Sequence, residues 1–214
     1  MVHFLHMAYR RTEAVEERLA ETRDRILSSA LALIARGGYR AAPVAAVADR
    51  AGVATGTVYR HFTSKAELFA EVFRIASGRE LAVVLTVGEN AELSPTERLR
   101  LGLETFARRA LRGRRLAYAL LAEPAEPAVD EQRLIFRRAY RDGFVQLLRE
   151  AINAGELPAQ DVEVVAAALV GAVAEALVGP LSAASRKRDH EELVGKIVRF
   201  CMHALNPEVS YANA

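Results

Sequence analysis

The chain contains 214 residues, of which 51% are hydrophobic and 26% are charged, so its composition excludes an intrinsically disordered protein and provides for a sizeable core. Its formal net charge of +2 indicates no particular class of partner. The single cysteine, Cys201, excludes an intramolecular disulfide and is typical of a reducing compartment. We therefore expect a globular, cytoplasmic protein.

The two ends of the chain are expected to lack regular structure. Residues 1–12 are predicted to form a flexible arm, in which Met1 or Met7 is the true start, and residues 208–214 are predicted to form a tail. Residues 1–9 carry no charged leader and too short an apolar stretch for a secretory signal. The longest apolar stretch, 164–174, is well short of the ~20 residues of a membrane-spanning helix, so no membrane contact is predicted.

A first helix is predicted from about Glu13 to Arg36, and a helix-turn-helix follows it. In the next segment, apolar residues at i, i+3, i+4 and i+7 form one helical face: Val44, Val47, Ala48 and Ala51. Gly52 comes next, where helices commonly end in a left-handed residue. A second short helix continues the apolar set with Val53, Val58 and Phe62. Two short helices joined by a glycine turn form a helix-turn-helix.

The second short helix keeps polar and basic side chains, and no carboxylate, at its start and on its outer face. These residues are Thr55, Gly56, Thr57, Tyr59, Arg60 and His61. In a recognition helix, the N-terminal residues reach base edges in the major groove, and a helix N-terminus attracts phosphate. Lys65, in the first turn of the next helix, is predicted to contact the phosphate backbone. In the alternative interpretations, Tyr59 packs against a neighbouring helix and His61 is a structural residue at a helix end.

This stretch resembles the TetR family of bacterial transcriptional regulators over residues from about 20 to 73. The family pattern Ala-x-x-Ala-Gly-Val-x-x-Gly-Thr-x-Tyr-x-His-Phe-x-x-Lys-x-x-Leu is met by Ala48, Ala51, Gly52, Val53, Gly56, Thr57, Tyr59, His61, Phe62, Lys65 and Leu68. The chain departs from the family at Ala42, Pro43 and Ala54, where hydroxyl side chains are usual. These departures remove a phosphate-binding hydroxyl and leave the recognition helix either capped by Thr55 or uncapped.

The rest of the chain is also predicted to be helical, because no strand-like alternation is present. Helices are expected at about 64–86, 95–112, 114–122, 129–153, 161–178 and 189–205. We therefore predict an all-α protein with an N-terminal three-helix DNA-binding domain of the helix-turn-helix type at residues 13–63. A C-terminal helical domain at residues 64–207 is expected to bind an effector and to dimerise.

The last two helices are predicted to form a homodimer interface. The helix at 161–178 is apolar around most of its circumference and must be buried on several sides. One monomer has too few other helices to cover this pair, so we expect it to pack against its copy as a four-helix bundle. The resemblance implies the same. Val173 is expected at this interface, and Glu175 is either a ligand-facing group or an interface carboxylate.

Aromatic and apolar side chains recur at helical spacing in the central helices, where they form either an ordinary core or the lining of an effector cavity. They are Leu103, Phe106, Tyr118, Leu121, Phe136, Tyr140 and Phe144. The resemblance implies a small-molecule effector in this region and favours the cavity. The basic run Arg108, Arg109, Arg112, Arg114 and Arg115 is predicted to be solvated surface.

The functional prediction is a homodimeric, ligand-responsive repressor that a small, largely apolar effector releases from a palindromic operator in double-stranded DNA. No catalytic motif or metal-ligand spacing is recognised, so neither an enzyme nor a bound cofactor or metal is expected. The alternative is a helical small-molecule-binding protein whose DNA-binding role is lost or secondary, which the alanines at positions 42 and 54 would favour.

Overall fold

The structure, a computed structural model, describes the backbone of residues 2–182 and 189–205, with side chains from Val15 onward in those ranges. The prediction of an all-α fold is confirmed, since the described residues form nine α-helices and a short 3-10 turn and no strand. The helices are α1 Val2–Gly37, α2 Val44–Ala51, α3 Thr55–His61, α4 Lys65–Gly88, α5 Pro95–Arg112, α6 Arg114–Leu121, α7 Pro127–Asn153, α8 Val162–Leu181 and α9 His190–Leu205. The tail predicted at 208–214 lies outside the described residues.

Two predicted boundaries are wrong. Helix α1 begins at Val2 rather than near Glu13, so the segment predicted to be a flexible arm is helical from Val2 onward. No glycine or proline interrupts residues 2–36, and the chain therefore has no local reason to leave the helix there. Helix α8 continues through Pro180 to Leu181, instead of stopping before it.

The first of two hydrophobic cores joins the helix-turn-helix to the start of α4. Its buried side chains include Ile26, Leu27, Ala30, Ile34, Val44, Val47, Val58, Phe62, Leu68, Phe69, Val72 and Phe73. Gly52 adopts φ 66° and ends α2 in the left-handed conformation, as predicted for the turn. Ser64 accepts a hydrogen bond from the Glu67 N–H at 3.0 Å, and Thr63 N–H donates to the Glu67 carboxylate at 2.6 Å, which starts α4 immediately behind α3.

The second core lies among α5, α7, α8 and α9 and the far end of α4. Its largest members include Leu99, Leu103, Phe144, Leu148, Leu169, Leu177, Ile197 and Leu205. Two residues of the C-terminal half, Ala119 in α6 and Val129 in α7, are buried in the first core instead. The two cores are therefore connected both through α4 and through the α6–α7 corner.

Helix α8 is longer than the apolar stretch identified in the sequence. It has 20 residues, and an 18-residue window within it has a mean hydropathy of 2.1, so by length and composition alone it is apolar enough to cross a membrane. The apolar stretch identified in the sequence ends before Glu175, but apolar residues resume directly after this glutamate. One face of α8 packs in the second core through Ala166, Leu169, Val173, Ala174, Leu177 and Leu181.

Glu71 of α4 holds two arginines at the junction between α1 and α4. Arg23 Nη2 lies 3.1 Å from its carboxylate, and Arg74 donates two hydrogen bonds of 2.8 Å. The Arg23 guanidinium also lies over the ring of Phe62, 5.0 Å from its centroid. Hydrogen bonds from Arg74, and then from Arg23, lower the pKa of Glu71 to about 2. The ionised carboxylate therefore stabilises the packing of α1 on α4.

Replacing Glu71 by glutamine is expected to lower the free energy of unfolding at pH 7 by about 1 kcal/mol, because the bonded arginines are partly exposed. The folded-state pKa lies below the unfolded value, so this stabilisation is complete above about pH 5 and is lost as the pH falls toward 2. Urea denaturation of wild type and Glu71→Gln from pH 7 to pH 3 measures the difference. Glu92→Gln, in an exposed loop, is the control, and a Glu71→Gln deficit that does not shrink in acid would contradict the assignment.

Candidate nucleic-acid interface and internal cavity

Helix α3 is anchored by one side and presents the other to solvent. Val58 and, at the helix end, Phe62 are each 1% exposed. Tyr59, on the open side of the helix, is 48% exposed. Of the other predicted contact residues, Thr55, Gly56, Arg60 and Lys65 are exposed and Thr57 and His61 are partly buried. Tyr59 therefore does not pack inside the monomer, which is the alternative that the sequence left open.

The start of α3 is open to an approaching molecule. Ala54 occupies the N-cap position and makes no side-chain capping bond, as its replacement of a hydroxyl residue implies. A Cβ added at Gly56 would have no neighbour within 4 Å, so packing within the chain does not require glycine there. The uncapped N–H groups and the bare Gly56 backbone form a surface suited to an anion such as phosphate.

Lys65 is the predicted contact residue with a competing partner. Its Nζ lies 3.0 Å from the carboxylate of Glu126, the residue that precedes α7, and 5.2 Å from the centroid of the Phe69 ring. About 45% of the Lys65 side chain and 36% of the Glu126 side chain remain exposed. Sequence reasoning missed this pair, because the two residues are far apart in the chain and only the fold brings them together.

A cavity of about 130 Å³ lies among α4, α5, α6, α7 and α8. Six of the seven predicted ligand residues line it: Leu103, Phe106, Leu121, Phe136, Tyr140 and Phe144. The seventh, Tyr118, does not line the cavity, and the guanidinium of Arg115 lies over its ring, 5.8 Å from the centroid. A cavity of about 150 Å³ with apolar walls holds a benzene-sized molecule, so a larger ligand must widen this one.

The cavity also has polar residues that sequence reasoning missed, among them Glu80, Arg109, Arg133 and Arg137. The Tyr140 ring packs edge-on against Phe106, with 5.3 Å between centroids. Burial, and to a smaller extent Glu80, raises the pKa of Tyr140 well above its ordinary range, while Arg109 opposes the shift. Tyr140 is therefore a neutral phenol that can donate a hydrogen bond into the cavity.

The basic run of α5 and α6 was predicted to be solvated surface. This prediction is wrong for four of its five arginines, which make specific bonds. Arg108 pairs with Glu104 and Glu191, each at 2.7 Å, and Arg109 pairs with Glu80. The other two bind helix ends, where unpaired carbonyls attract a cation: Arg114 donates to Pro180 O at 2.8 Å and Arg115 to Gly37 O at 2.6 Å. Arg112 remains exposed as predicted.

The outer faces of α8 and α9 carry apolar and small residues. Val164 is 64% exposed and Phe200 is 65% exposed, and a Cβ at Gly171 would have no neighbour within 4 Å. Glu175 is exposed on this outer face rather than directed into the cavity. Val173, expected at the interface, lies instead in the core and lines the cavity, because it is on the opposite side of α8.

The remaining candidate chemistry is structural. Cys201 is fully buried, and burial raises the pKa of its thiol, which disfavours the reactive thiolate. Among the described residues, no group of three or more His, Cys, Asp or Glu side chains is arranged to hold a metal ion.

Two family models match the chain, one in its N-terminal part and one in its C-terminal part. The model described as bacterial regulatory proteins, tetR family, matches residues 26–72, and the model described as tetracyclin repressor-like, C-terminal domain, matches residues 92–177. The chain belongs to the TetR family of bacterial transcriptional regulators. The first of these matches, at residues 26–72, includes α2, α3 and the first turns of α4, where the predicted contact residues lie.

Relatives of this TetR-family chain are named as regulators. It is 43% identical over 89 residues to the HTH-type transcriptional repressor KstR of Rhodococcus jostii (strain RHA1), an alignment that spans 41% of this chain and 40% of KstR. The match thus spans less than half of the length of that relative. It is 29% identical over 155 residues to the repressor KstR2 of Mycolicibacterium smegmatis (strain ATCC 700084 / mc(2)155), spanning 68% of this chain and 73% of KstR2.

A solved structure has the same fold over most of the chain. The transcriptional regulator FadR from Bacillus subtilis, crystallised in complex with stearoyl-CoA, superposes with a TM-score of 0.70 and 21% sequence identity. The superposition covers 83% of this chain and 96% of FadR. At this identity the likeness concerns the fold.

Removing the competitor of Lys65 is expected to strengthen DNA binding by this TetR-family protein. Glu126→Gln should tighten binding to a duplex at low salt about 1.4- to fivefold, because an exposed ion pair contributes about 0.2–1 kcal/mol. Lys65→Ala should weaken binding and reduce the slope of log affinity against log salt by about one. Fluorescence anisotropy over a salt series measures both effects.

The double variant isolates the pair. In the Lys65→Ala background, Glu126→Gln is expected to have no effect, and Glu131→Gln, an exposed carboxylate on α7, is the matched control. Equal tightening by Glu126→Gln with and without Lys65 would exclude Lys65 as the group that Glu126 withholds from DNA.

Proposed function

We propose that this protein is a cytoplasmic, homodimeric transcriptional repressor, which binds a palindromic operator and is released from it by a small, largely apolar effector. The single observation that carries the proposal is the arrangement of α4. This helix follows the exposed α3 directly, and its buried side chains belong to both hydrophobic cores. Family membership and the names of its relatives support the same function.

The operator would be read by α3. Thr57 and Tyr59, with Thr55 and Arg60, are proposed to contact base edges in the major groove. The phosphate backbone would be held by Lys65, by His61 and by the uncapped helix start around Gly56. Affinity should then depend strongly on salt, because phosphate contacts release counterions, whereas discrimination between sequences should depend on the outer residues of α3.

The homodimer would form through the outer faces of α8 and α9. The exposure of Val164 and Phe200 and the open surface at Gly171 support an interface there, because small residues allow helices to approach closely. Four helices, two from each protomer, would form a bundle. A twofold dimer presents two copies of α3, as a palindromic operator with half-sites about 34–36 Å apart requires.

The effector would bind in the cavity lined by Leu103, Phe106, Leu121, Phe136, Tyr140 and Phe144, while Tyr118 packs against the same core without lining the cavity. These walls suit an apolar molecule. The complex of FadR with stearoyl-CoA supports an effector that carries an acyl chain. Because the cavity is bounded by α4 and α6, a ligand that widens it would favour a conformer with α4 displaced. Such a ligand shifts the populations only if its affinity differs between this conformer and the DNA-binding one.

Tyr59→Ala is expected to abolish discrimination between the operator and random duplex DNA while leaving a folded dimer, because Tyr59 is half exposed and supports no core packing. Selection from a random duplex library identifies the wild-type palindrome, and competition binding compares the variant with wild type. We expect specificity to fall about 5- to 160-fold, since a specific base contact contributes about 1–3 kcal/mol.

Two outcomes of this selection carry different consequences. Unchanged discrimination by Tyr59→Ala would remove Tyr59 from the readout without affecting the repressor proposal. Selection of no palindrome by the wild type would instead favour a helical ligand-binding protein whose DNA role is lost. Leu134→Ala, an exposed apolar residue on α7, is the control and should behave as wild type.

Introducing a charge on the outer faces of α8 and α9 is expected to break the dimer without unfolding the protomer. Gly171→Glu and Phe200→Glu should each shift sedimentation from dimer to monomer and weaken operator binding by more than about tenfold, because a buried unpaired carboxylate is costly. Leu134→Glu places the same charge at an exposed apolar residue of α7 and should remain dimeric. A wild type that sediments as a monomer would overturn the interface.

A further inference from the structure

The effector cavity has a charged mouth on the side formed by α4, α5 and α7. Arg109 of α5 and Glu80 of α4 both line the cavity and form a bidentate ion pair. Arg109 Nε lies 2.5 Å from Glu80 Oε2, and Nη2 lies 3.0 Å from Oε1. The two side chains are 39% and 34% exposed, so a ligand that enters the cavity can reach this pair.

Positive charge exceeds negative charge at this mouth. Arg133 is held in place by hydrogen bonds to Leu120 O at 3.0 Å and Ala119 O at 2.9 Å and by a salt bridge to Asp130. Arg137, one turn further along α7, also lines the cavity and is exposed. After the pairs of Arg109 with Glu80 and of Arg133 with Asp130, no carboxylate among the described side chains forms a salt bridge with Arg137. The mouth therefore has a positive potential that favours an anion.

On the basis of the proposed repressor function, we propose that the effector is an anionic amphiphile, whose apolar chain occupies the cavity and whose head group displaces Glu80 from Arg109. A carboxylate or a phosphate oxygen can accept the two parallel N–H bonds that Glu80 now accepts. The neutral hydroxyl of Tyr140, beside the same pair, supplies a further donor. The positive charge of Arg137 adds to the attraction of the head group.

This exchange breaks a direct link between α4 and α5. Glu80 lies 15 residues after Lys65 on the same uninterrupted helix, a separation of about 22 Å along its axis. While Glu80 binds Arg109, this part of α4 is tied to α5. Once the head group takes the place of Glu80, α4 loses its ion pair with α5 at the level of the cavity, and the conformer with α4 displaced is favoured. A neutral apolar ligand leaves the pair intact and is expected to be a poor effector.

Three probes with the same chain test the head-group requirement directly on the purified dimer. Dodecanoate and dodecanoyl-CoA are anionic, and methyl dodecanoate is neutral. Isothermal titration calorimetry below the micelle concentration measures their affinities without any DNA, so this test is independent of whether an operator exists. We expect at least one anionic probe to bind wild type about tenfold or more tightly than the methyl ester, and the tighter of the two identifies a free acid or a thioester as the source.

Two substitutions with opposite effects exclude a general loss of structure. Arg109→Gln is expected to remove the preference for the anionic probe, whereas Glu80→Gln is expected to increase anion affinity about three- to tenfold because the competing charge is gone. Arg137→Gln should weaken anion binding severalfold. Arg112→Gln, an exposed arginine on α5 that does not line the cavity, is the matched control and should equal wild type.

The proposal is overturned if the methyl ester binds wild type as tightly as both anions, if no probe binds, or if Arg109→Gln keeps the preference for the anion. It is also overturned if Glu80→Gln weakens anion binding. A protein that shows the expected charge preference and selects no operator supports this inference while refuting the repressor function.

Discussion

The structure depends on the simultaneous burial of one continuous helix in two hydrophobic cores. Phe69 and Phe73, near the start of α4, pack with the helix-turn-helix, and Val84, near its end, packs with the C-terminal helices. Close-packed interiors resist continuous deformation, so we expect a change in the C-terminal core to reach α3 as a movement of α4. The capping bonds of Ser64 and Glu67 start α4 directly after α3, so only a short segment of the chain separates the two helices.

A second connection runs through the corner between α6 and α7. Ala119 and Val129 are buried in the core of the helix-turn-helix, Arg115 donates to Gly37 O at the end of α1, and Arg133 ties the corner together through carbonyls of α6. The cavity lies between this corner and α4. A molecule that widens the cavity therefore acts on both connections, and the Lys65–Glu126 pair joins them at the edge of the proposed DNA surface.

Four arginines join segments that are distant in the chain. Arg23, Arg109, Arg114 and Arg115 each bind a partner on another helix or at its end, through charged or carbonyl oxygens. In the sequence these residues cannot be told apart from solvated arginines, since their partners lie between 8 and 78 positions away. Arg112, in the same run, is exposed, so composition and spacing alone do not separate a structural arginine from a surface one.

The sequence by itself determined what depends on neighbours in the chain: the all-α class, most helix bounds, the glycine turn at Gly52, and the division of α3 into an anchored side and an outer side. These follow from helical periodicity, capping and turn chemistry, which act over a few residues. Only the tertiary structure decided which side of α8 is buried, and with it the positions of Val173 and Glu175, because a helix apolar all round carries no periodic signal. It also decided that six predicted residues share one cavity, which Tyr118 does not line. The packing of the helices likewise decided that Glu80 pairs with Arg109 and Lys65 with Glu126. Such pairs join residues far apart in the chain, and only the packing of the helices brings them together.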